Sequence, residues 1–180
     1  MSALPLVDGL FSFMKKIKLG ESGKFALVDE EDYEWLNQWT WFWSAGYAVR
    51  VTPRPEHKHI IMHRVIMNAP KSTQIVVDHI NCNGLDNRRS NLRFANRSQN
   101  RANGVSPRIK KTSLFKGVSL NKIKTLSRYK KWYTYYYWKA EITCNGKNYF
   151  LGRFKSETEA AKAYNKKAKE LFGEFALCNF

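Results

Sequence analysis

Val76-Val77-Asp78-His79-Ile80-Asn81-Cys82-Asn83-Gly84 opens the stretch that decides how this chain is read, and it runs on through Asn91-Leu92-Arg93 to Asn100. A β-rich apolar run ends in an Asp-His pair. Asn83-Gly84 then offers the positive-φ positions that a reversing loop requires. A second short segment ends in Asn91-Leu92-Arg93, and a polar, helix-like segment follows from Asn96 to Asn103. Strand, turn, strand and helix bring Asp78, His79 and Asn100 to one point if the helix folds back over the hairpin. An imidazole, a carboxylate and an amide oxygen are the groups that one-metal phosphodiester hydrolysis needs. The imidazole takes a proton from water, and the two oxygen donors hold a hard divalent cation. An Asp-His pair alone is more often a capped turn, so the weight rests on the whole Asp78-to-Asn100 pattern. His79, Asn81, Asn83 and Gly84 also imitate four positions of a calcium loop. That loop wants Asp first and Glu twelfth, where this chain has His79 and Ser90, so the calcium reading fails.

The pattern Val-Val-Asp-His-x-x-x-x-Gly, then Asn-x-x-x-Asn-Leu-Arg, then a later Asn resembles the HNH endonucleases of the ββα-metal class, in particular phage and intron-encoded homing enzymes. The resemblance covers roughly residues 15 to 105. It implies that His79 is the general base and that Asn91 braces the hairpin and the histidine. It further implies that Asp78 and Asn100 bind metal, one ion per active site. Magnesium, or manganese, suits a ligand set made only of oxygens. His63-Arg64 resembles a motif upstream of the active site in the same family, with Arg64 the candidate for a phosphate contact. Arg88, Arg89, Arg93 and Arg97 surround the expected centre, and guanidinium forks suit phosphate oxygens.

Composition agrees with a nucleic-acid partner. The net charge is +16, and it is uneven: residues 1–100 carry +3 and residues 101–180 carry +13. The C-terminal part therefore supplies most of the attraction for a polyanion. With 43% apolar and 14% aromatic residues the chain has enough material for a packed core. No apolar run approaches a membrane span, and the mildly apolar start, with Asp8 and no basic leader, does not read as a signal peptide. Cys82, Cys144 and Cys178 are widely spaced and odd in number, which fits a reducing cytoplasm; the resemblance to phage enzymes implies that of a bacterium or a phage-infected cell. Without a Cys-x-x-Cys, no structural zinc is expected.

Four segments follow from the pattern: a leader over 1–14, a nuclease domain over 15–104, a basic linker over 105–112 and a DNA-binding domain over 113–180. In the first domain, Lys15-Ile17-Leu19 and Phe25-Ala26-Leu27-Val28 read as strands. Asp29 is placed to N-cap a helix whose first turn holds Glu30, Glu31 and Asp32 and which continues through Tyr33, Leu36 and Asn37. Trp35, Trp39, Trp41 and Trp43 read as core, with stacking on bases as the alternative. Gly46 to Val51 is a strand ended by Pro53 and Pro55. His57 and His59 read as part of a surface turn, and Ile60 to Ile66 as a strand that bends into a helix at His63-Arg64.

The last 68 residues read as three strands and a helix. Phe115 to Asn121 is the first strand, about Lys131 to Thr143 the second, and Lys147 to Phe154 the third, with Asn145-Gly146 between the last two. Ser156-Glu157-Thr158-Glu159 is a capping box, and the helix behind it gathers Ala160, Ala163, Tyr164, Ala168 and Leu171 on one face before Gly173 ends it. The marks Lys116-Gly117-Val118, Trp138-Lys139-Ala140-Glu141-Ile142, Leu151-Gly152-Arg153-Phe154, Glu159-Ala160-Ala161-x-Ala163-Tyr164 and Asn179-Phe180 resemble the APETALA2/ethylene-response-factor DNA-binding domain. That resemblance implies a sheet whose helix-free face lies in the major groove. Strand alternation sends Trp138, Ala140 and Ile142 to the helix and leaves Lys139, Glu141 and Thr143 for DNA, with Lys116, Ser119, Asn121, Asn148 and Phe150 on the corresponding face. Lys116, Ser119, Asn121, Thr143 and Asn148 stand where guanine-reading arginines are usual, and an insertion, roughly Lys122 to Tyr133, lengthens the first hairpin. Sequence preference therefore does not carry over, and looser base reading with much phosphate contact is expected.

The expected whole is an α+β protein: an N-terminal α/β lobe carrying the ββα-metal module, a linker, then a three-stranded antiparallel sheet packed on one helix. The expected activity is metal-dependent cleavage of double-stranded DNA by a monomer or weak dimer that has no membrane partner. One alternative is a non-enzymatic duplex-DNA-binding regulator on a degenerate HNH fold. Another is an RNA binder that uses Tyr135-Tyr136-Tyr137-Trp138 as a stacking platform.

Overall fold

The computed structural model describes residues 13–72, 74–104 and 112–180, so nearly all of the expected leader and of the expected linker lie outside the described residues. The architecture is mixed α and β, in two compact units, Met1–Phe94 and Ala95–Phe180. No helix among the described residues is long and apolar enough to cross a membrane.

In the first unit, β1 (Met14–Lys18) and β2 (Phe25–Asp29) form an antiparallel pair. Their alternation turns Ile17, Ala26 and Val28 inward. Helix α1 (Glu30–Leu36) follows at once. Its capping differs from expectation: Asp29 sits at the N-cap but its side chain makes no capping bond. Its Oδ2 accepts from the Arg89 backbone N–H at 2.7 Å, sixty residues downstream. A tertiary bond has taken the carboxylate that the local pattern assigned to the helix.

Strands β3 (Phe42–Ser44), β4 (Tyr47–Val51) and β5 (His59–Ile61) form an antiparallel sheet, and α2 (Met62–Ile66) leaves it directly. The tryptophan cluster divides. Trp41 is fully buried, with its indole N–H on the Leu36 carbonyl at 2.8 Å. Trp35 packs at the edge of the core, whereas Trp39 and Trp43 are exposed beneath cations, Arg50 over Trp39 and Lys24 over Trp43. Strand β3, which holds Trp43, is therefore a surface strand. Leu19, Leu36, Met62, Val77 and Leu92 complete the core around Trp41.

Strand β6 (Ile75–His79) pairs with β7 (Leu92–Asn96), and a 3-10 turn, Arg89–Asn91, leads into β7. Helix α3 (Arg97–Asn103) starts on Asn96, whose side chain accepts from Ser98 and Gln99 while the Gln99 side chain returns to the Asn96 backbone, a complete capping box.

In the second unit, β8 (Val118–Leu126), β9 (Trp132–Cys144) and β10 (Lys147–Phe154) form an antiparallel sheet in the order β10-β9-β8, and α4 (Glu157–Phe172) packs across it. The Ser156–Glu159 capping box is present in full, and Gly173 closes the helix with φ +53°. The buried face of α4 is Ala160, Ala161, Tyr164, Asn165, Ala168 and Phe172; Ala163 and Leu171, expected on it, are half-exposed. Ala140 and Ile142 lie buried beneath the helix and Trp138 packs beside them, as strand alternation required. The inserted segment lengthens the first hairpin, as expected. Pairing runs unbroken from Val118↔Ala140 to Leu126↔Trp132, so the insertion lengthens β8 and β9 into a ribbon. The marks at the two ends of the unit meet. Asn179 Oδ1 accepts from the Lys116 backbone N–H at 2.6 Å, and Gly117 at φ +72° lies so close to the Tyr164 ring that a Cβ would sit 2.1 Å from it.

Candidate active site

His79 ends β6 and Asn91 ends the 3-10 turn opposite it, with the Ile80 N–H on the Asn91 carbonyl at 2.9 Å. Between them the loop 80–91 is held by its own amides. Asn81 and Asn83 cap Asx turns onto Asn83 N–H and Leu85 N–H, at 2.9 and 3.1 Å. The Asn91 carboxamide reaches back into the loop. Its Oδ1 accepts from Asn81 N–H at 3.0 Å, and its Nδ2 donates to Asn81 Oδ1 at 3.0 Å and to the Asp86 carbonyl at 2.8 Å. In these bonds Asn91 braces the loop rather than the imidazole.

The loop turns by a different device from the one expected. Among the described residues from Ile80 to Asn91 the positive φ belongs to Cys82, at +61°, and neither Asn83 nor Gly84 has one. Gly84 is needed for a close approach instead. A Cβ there would lie 2.5 Å from the Gly46 carbonyl oxygen and 2.7 Å from the Tyr47 ring. The far side of the loop joins β2 as a short parallel bridge: Leu27 N–H donates to the Leu85 carbonyl, and Asn87 N–H to the Leu27 carbonyl, both at 2.8 Å. β2 thus fixes the backbone that carries Asn87.

Asn87 is the site residue that sequence reasoning missed. It is fully buried, and its Oδ1 faces His79 Nε2 at 3.4 Å. An amide oxygen only accepts, so in this orientation the Asn87 carboxamide is matched by the tautomer that carries hydrogen on Nε2. The available signal was its place four residues before Asn91, inside the same motif.

His79 is walled by two rings. The His63 ring meets it edge-on with centroids 4.8 Å apart, and Tyr47 lies tilted at 5.9 Å. Both imidazoles are buried. Burial lowers the His79 pKa from its ordinary 6.5, opposed by the Asn87 bond and by the negative charges of Asp78 and Asp86. Burial, then the neighbouring His79 and Arg64, lowers His63 to about 3. Both rings are therefore neutral at pH 7, as a proton acceptor must be.

Asp78 is buried beside His79, and its Oδ2 accepts from Arg93 Nε at 2.9 Å. Asn100 lies exposed in α3, within the second unit. Arg88 grips Asp86 through two bonds of 2.7 Å, which hold the Asp86 carboxyl below the usual carboxylate range. Arg89 binds Asp32 at 2.7 and 2.9 Å and reaches Glu31 at 3.1 Å. Asp29, Glu31 and Asp32 come close enough to suggest a cation site, but the Arg89 guanidinium and backbone already engage all three. Arg64 Nη2 donates to the Pro70 carbonyl at 2.6 Å, and Arg97 is the first residue of α3.

On the second unit, Ser119, Asn121, Lys139, Glu141, Thr143, Asn148 and Phe150 share the sheet face turned away from α4, by the registers Ser119↔Lys139, Phe150↔Glu141 and Asn148↔Thr143. Lys139 and Asn148 both donate to Glu141, at 3.0 and 3.4 Å. Lys116 sends its ammonium to the C-terminal carbonyls of α3, those of Arg101, Ala102 and Gly104, where the negative end of the helix dipole favours it.

Over 160 residues, 87% of this chain and 75% of the relative, the sequence is 31% identical to an uncharacterized HNH endonuclease of Acanthamoeba polyphaga mimivirus. No family model and no solved structure matches the chain.

Proposed function

The chain belongs to the HNH endonuclease family, and from that membership we propose that it is a metal-dependent, homing-type nuclease that hydrolyses a phosphodiester of double-stranded DNA with His79 as general base. The observation that carries the reading is the state of His79. It is buried and neutral, with Asn87 on Nε2 and Asp78 next to it in the chain.

In this mechanism His79 Nδ1 accepts the proton of the attacking water. Asn87 holds the ring in the required tautomer, and the negative charges of Asp78 and Asp86 stabilise the imidazolium as it forms. Asn91 keeps the loop from shifting the ring. Asp78 and Asn100 would hold the metal, and the fit rests on donor chemistry: a carboxylate and an amide oxygen are hard ligands suited to magnesium or manganese, with water completing the shell. When bound, such an ion supplies charge neutralisation at the phosphorane and at the leaving 3′ oxygen. Arg93 positions Asp78 through their ion pair. Arg88 and Arg89, with side chains 38% and 45% exposed, keep an edge for backbone phosphates while anchored on Asp86 and Asp32. Arg64 and Arg97 serve the same phosphates.

The second unit docks the substrate. We assign the helix-free sheet face to the major groove in the manner of the APETALA2-like domains, with Ser119, Asn121, Lys139, Glu141, Thr143, Asn148 and Phe150 against DNA and looser base reading than in that family. A chain with one such centre cuts one strand per binding event, so a monomer nicks. The test is cleavage of end-labelled duplex DNA from the locus flanking the gene, with magnesium or with chelator, resolved on a sequencing gel. A discrete product that needs the metal supports the reading. A salt-sensitive complex with no product under either condition would replace it with a binding-only regulator.

A further inference from the structure

The outer part of the β8–β9 hairpin, from Lys122 to Tyr136, has no part in the site described so far. Beyond Asn121↔Tyr137 the two strands stay paired as far as Leu126↔Trp132, and Ser127 N–H closes the tip on the Lys131 carbonyl. At about 3.4 Å per residue this ribbon is roughly 17–20 Å long. Helix α4 does not cover it: Tyr135, Tyr136 and Trp132 are 58%, 67% and 70% exposed. Exposed aromatic rings on both faces of an unbacked ribbon point to a partner.

The charge says which partner. From Asn121 to Tyr137 there is no Asp or Glu, while Lys122, Lys124, Arg128, Lys130 and Lys131 supply five cations. The faces are unequal. Lys122 and Lys124 share a face with Tyr136, and three cations lie at or beside the tip. The opposite face carries Ile123, Tyr133 and Tyr135, uncharged and continuous with the sheet face assigned to the groove. Tyr133 and Tyr135 already stack on one another, at 6.5 Å and 24°, and Arg153 covers Tyr137 at 4.9 Å. Rings occupied in this way suit contact with a groove wall better than insertion between splayed bases. A two-stranded ribbon also matches the width of the major groove.

We propose that the ribbon Lys122–Tyr136 is a sequence-blind arm that clamps duplex DNA beside the segment read by the sheet. Its tyrosine face lies along the sugar–phosphate wall, and Arg128, Lys130 and Lys131 close on the backbone. The proposal rests on the duplex-DNA reading above and adds to it a second contact and a longer footprint.

Two variants of the full chain test it, in chelator so that the DNA stays intact. One combines Arg128→Ala, Lys130→Ala and Lys131→Ala. The other replaces Ile123–Tyr135 with Asn-Gly, a two-residue turn that joins Lys122 to Tyr136. Binding to a duplex is followed across a salt series, with hydroxyl-radical footprinting. Loss of three phosphate contacts lowers the slope of log K against log salt by about 2.7. The shortened variant loses about five base pairs from one end of the footprint, the ribbon's length at ~3.4 Å per base pair. If wild type binds the duplex and both variants match its slope and footprint, the arm is refuted while the duplex reading stands. If wild type binds no duplex, the duplex reading fails and the arm with it. If the triple variant loses affinity for single-stranded DNA or RNA but keeps its duplex slope, the ribbon serves a single strand and the proposal is wrong.

Discussion

Replacing Gly84 with alanine adds one methyl group at the closest approach in the active-site loop. The new Cβ would lie 2.5 Å from the Gly46 carbonyl oxygen and 2.7 and 2.8 Å from two carbons of the Tyr47 ring. Ordinary contact begins near 3.4 Å, so the backbone of one segment must retreat by almost 1 Å. Gly84 does not have a positive φ, so alanine suffers no backbone strain of its own and the whole cost is steric. Overpacking of this kind costs roughly 1–3 kcal/mol. In a unit of this size that lowers Tm by about 4–8 °C for each kcal/mol. The same retreat moves Tyr47, whose ring lies against both His79 and His63. Cleavage by folded Gly84→Ala protein should therefore fall by more than the loss of folded protein explains. Scanning calorimetry and single-turnover cleavage well below Tm measure the two effects separately. A Tm within 1 °C of wild type, with full cleavage, would refute the packing of this loop on residues 46 and 47.

Three more expectations follow from the same geometry. Gly117→Ala places a Cβ 2.1 Å from the Tyr164 ring and 2.6 Å from the Glu141 carbonyl at a φ of +72°, so the second unit should lose roughly 2–5 kcal/mol, read as early proteolysis of residues 112–180. Asp32→Ala leaves Arg89 and the Trp35 indole without their shared carboxylate and should cost roughly 1.5–3 kcal/mol in urea unfolding; no change would mean that the Asp32–Arg89 pair adds nothing to stability. His63, lowered to about 3, stays neutral in the folded chain while the unfolded chain takes up a proton below 6.5. Stability should then fall with falling pH by roughly 1.4 kcal/mol per unit between these values. His63→Phe should flatten that dependence between pH 6.5 and 4.5, and an unchanged slope would contradict the burial of a neutral ring.

What the sequence made legible was local. Strand alternation placed β1, β2, β4 and β10 within a residue or two, and the Ser156–Glu159 box marked the start of α4. Hydrophobic alternation also sorted the two faces of β9 correctly, because one face lies under a helix whose own period was plain. What stayed hidden was non-local. Asp29 reads as a helix cap until Arg89 arrives to use its carboxylate, and Arg88 and Arg89 read as free cations until Asp86 and Asp32 grip them. Asn87 looks like one of several loop asparagines; only the bridge to β2 turns it toward His79. The Asn83-Gly84 dipeptide suggested a turn conformation, whereas the glycine serves the neighbour it touches and Cys82 makes the turn. The Lys122–Tyr133 insertion lengthens the first hairpin as read, but the first strand, expected to end at Asn121, runs on to Leu126 because the second strand pairs with it throughout.

The measurement that bears most directly on the account is single-turnover cleavage by His79→Ala beside wild type, on one duplex with magnesium, with binding of both proteins measured on the same DNA in chelator. Removal of a general base slows cleavage by about 10²–10⁴, and binding should stay within a few-fold. Wild-type cleavage should also rise with pH to a plateau reached below the ordinary histidine range, because burial lowers the pKa of His79. Equal loss of cleavage and binding, or cleavage that survives without the imidazole, would contradict His79 as the base.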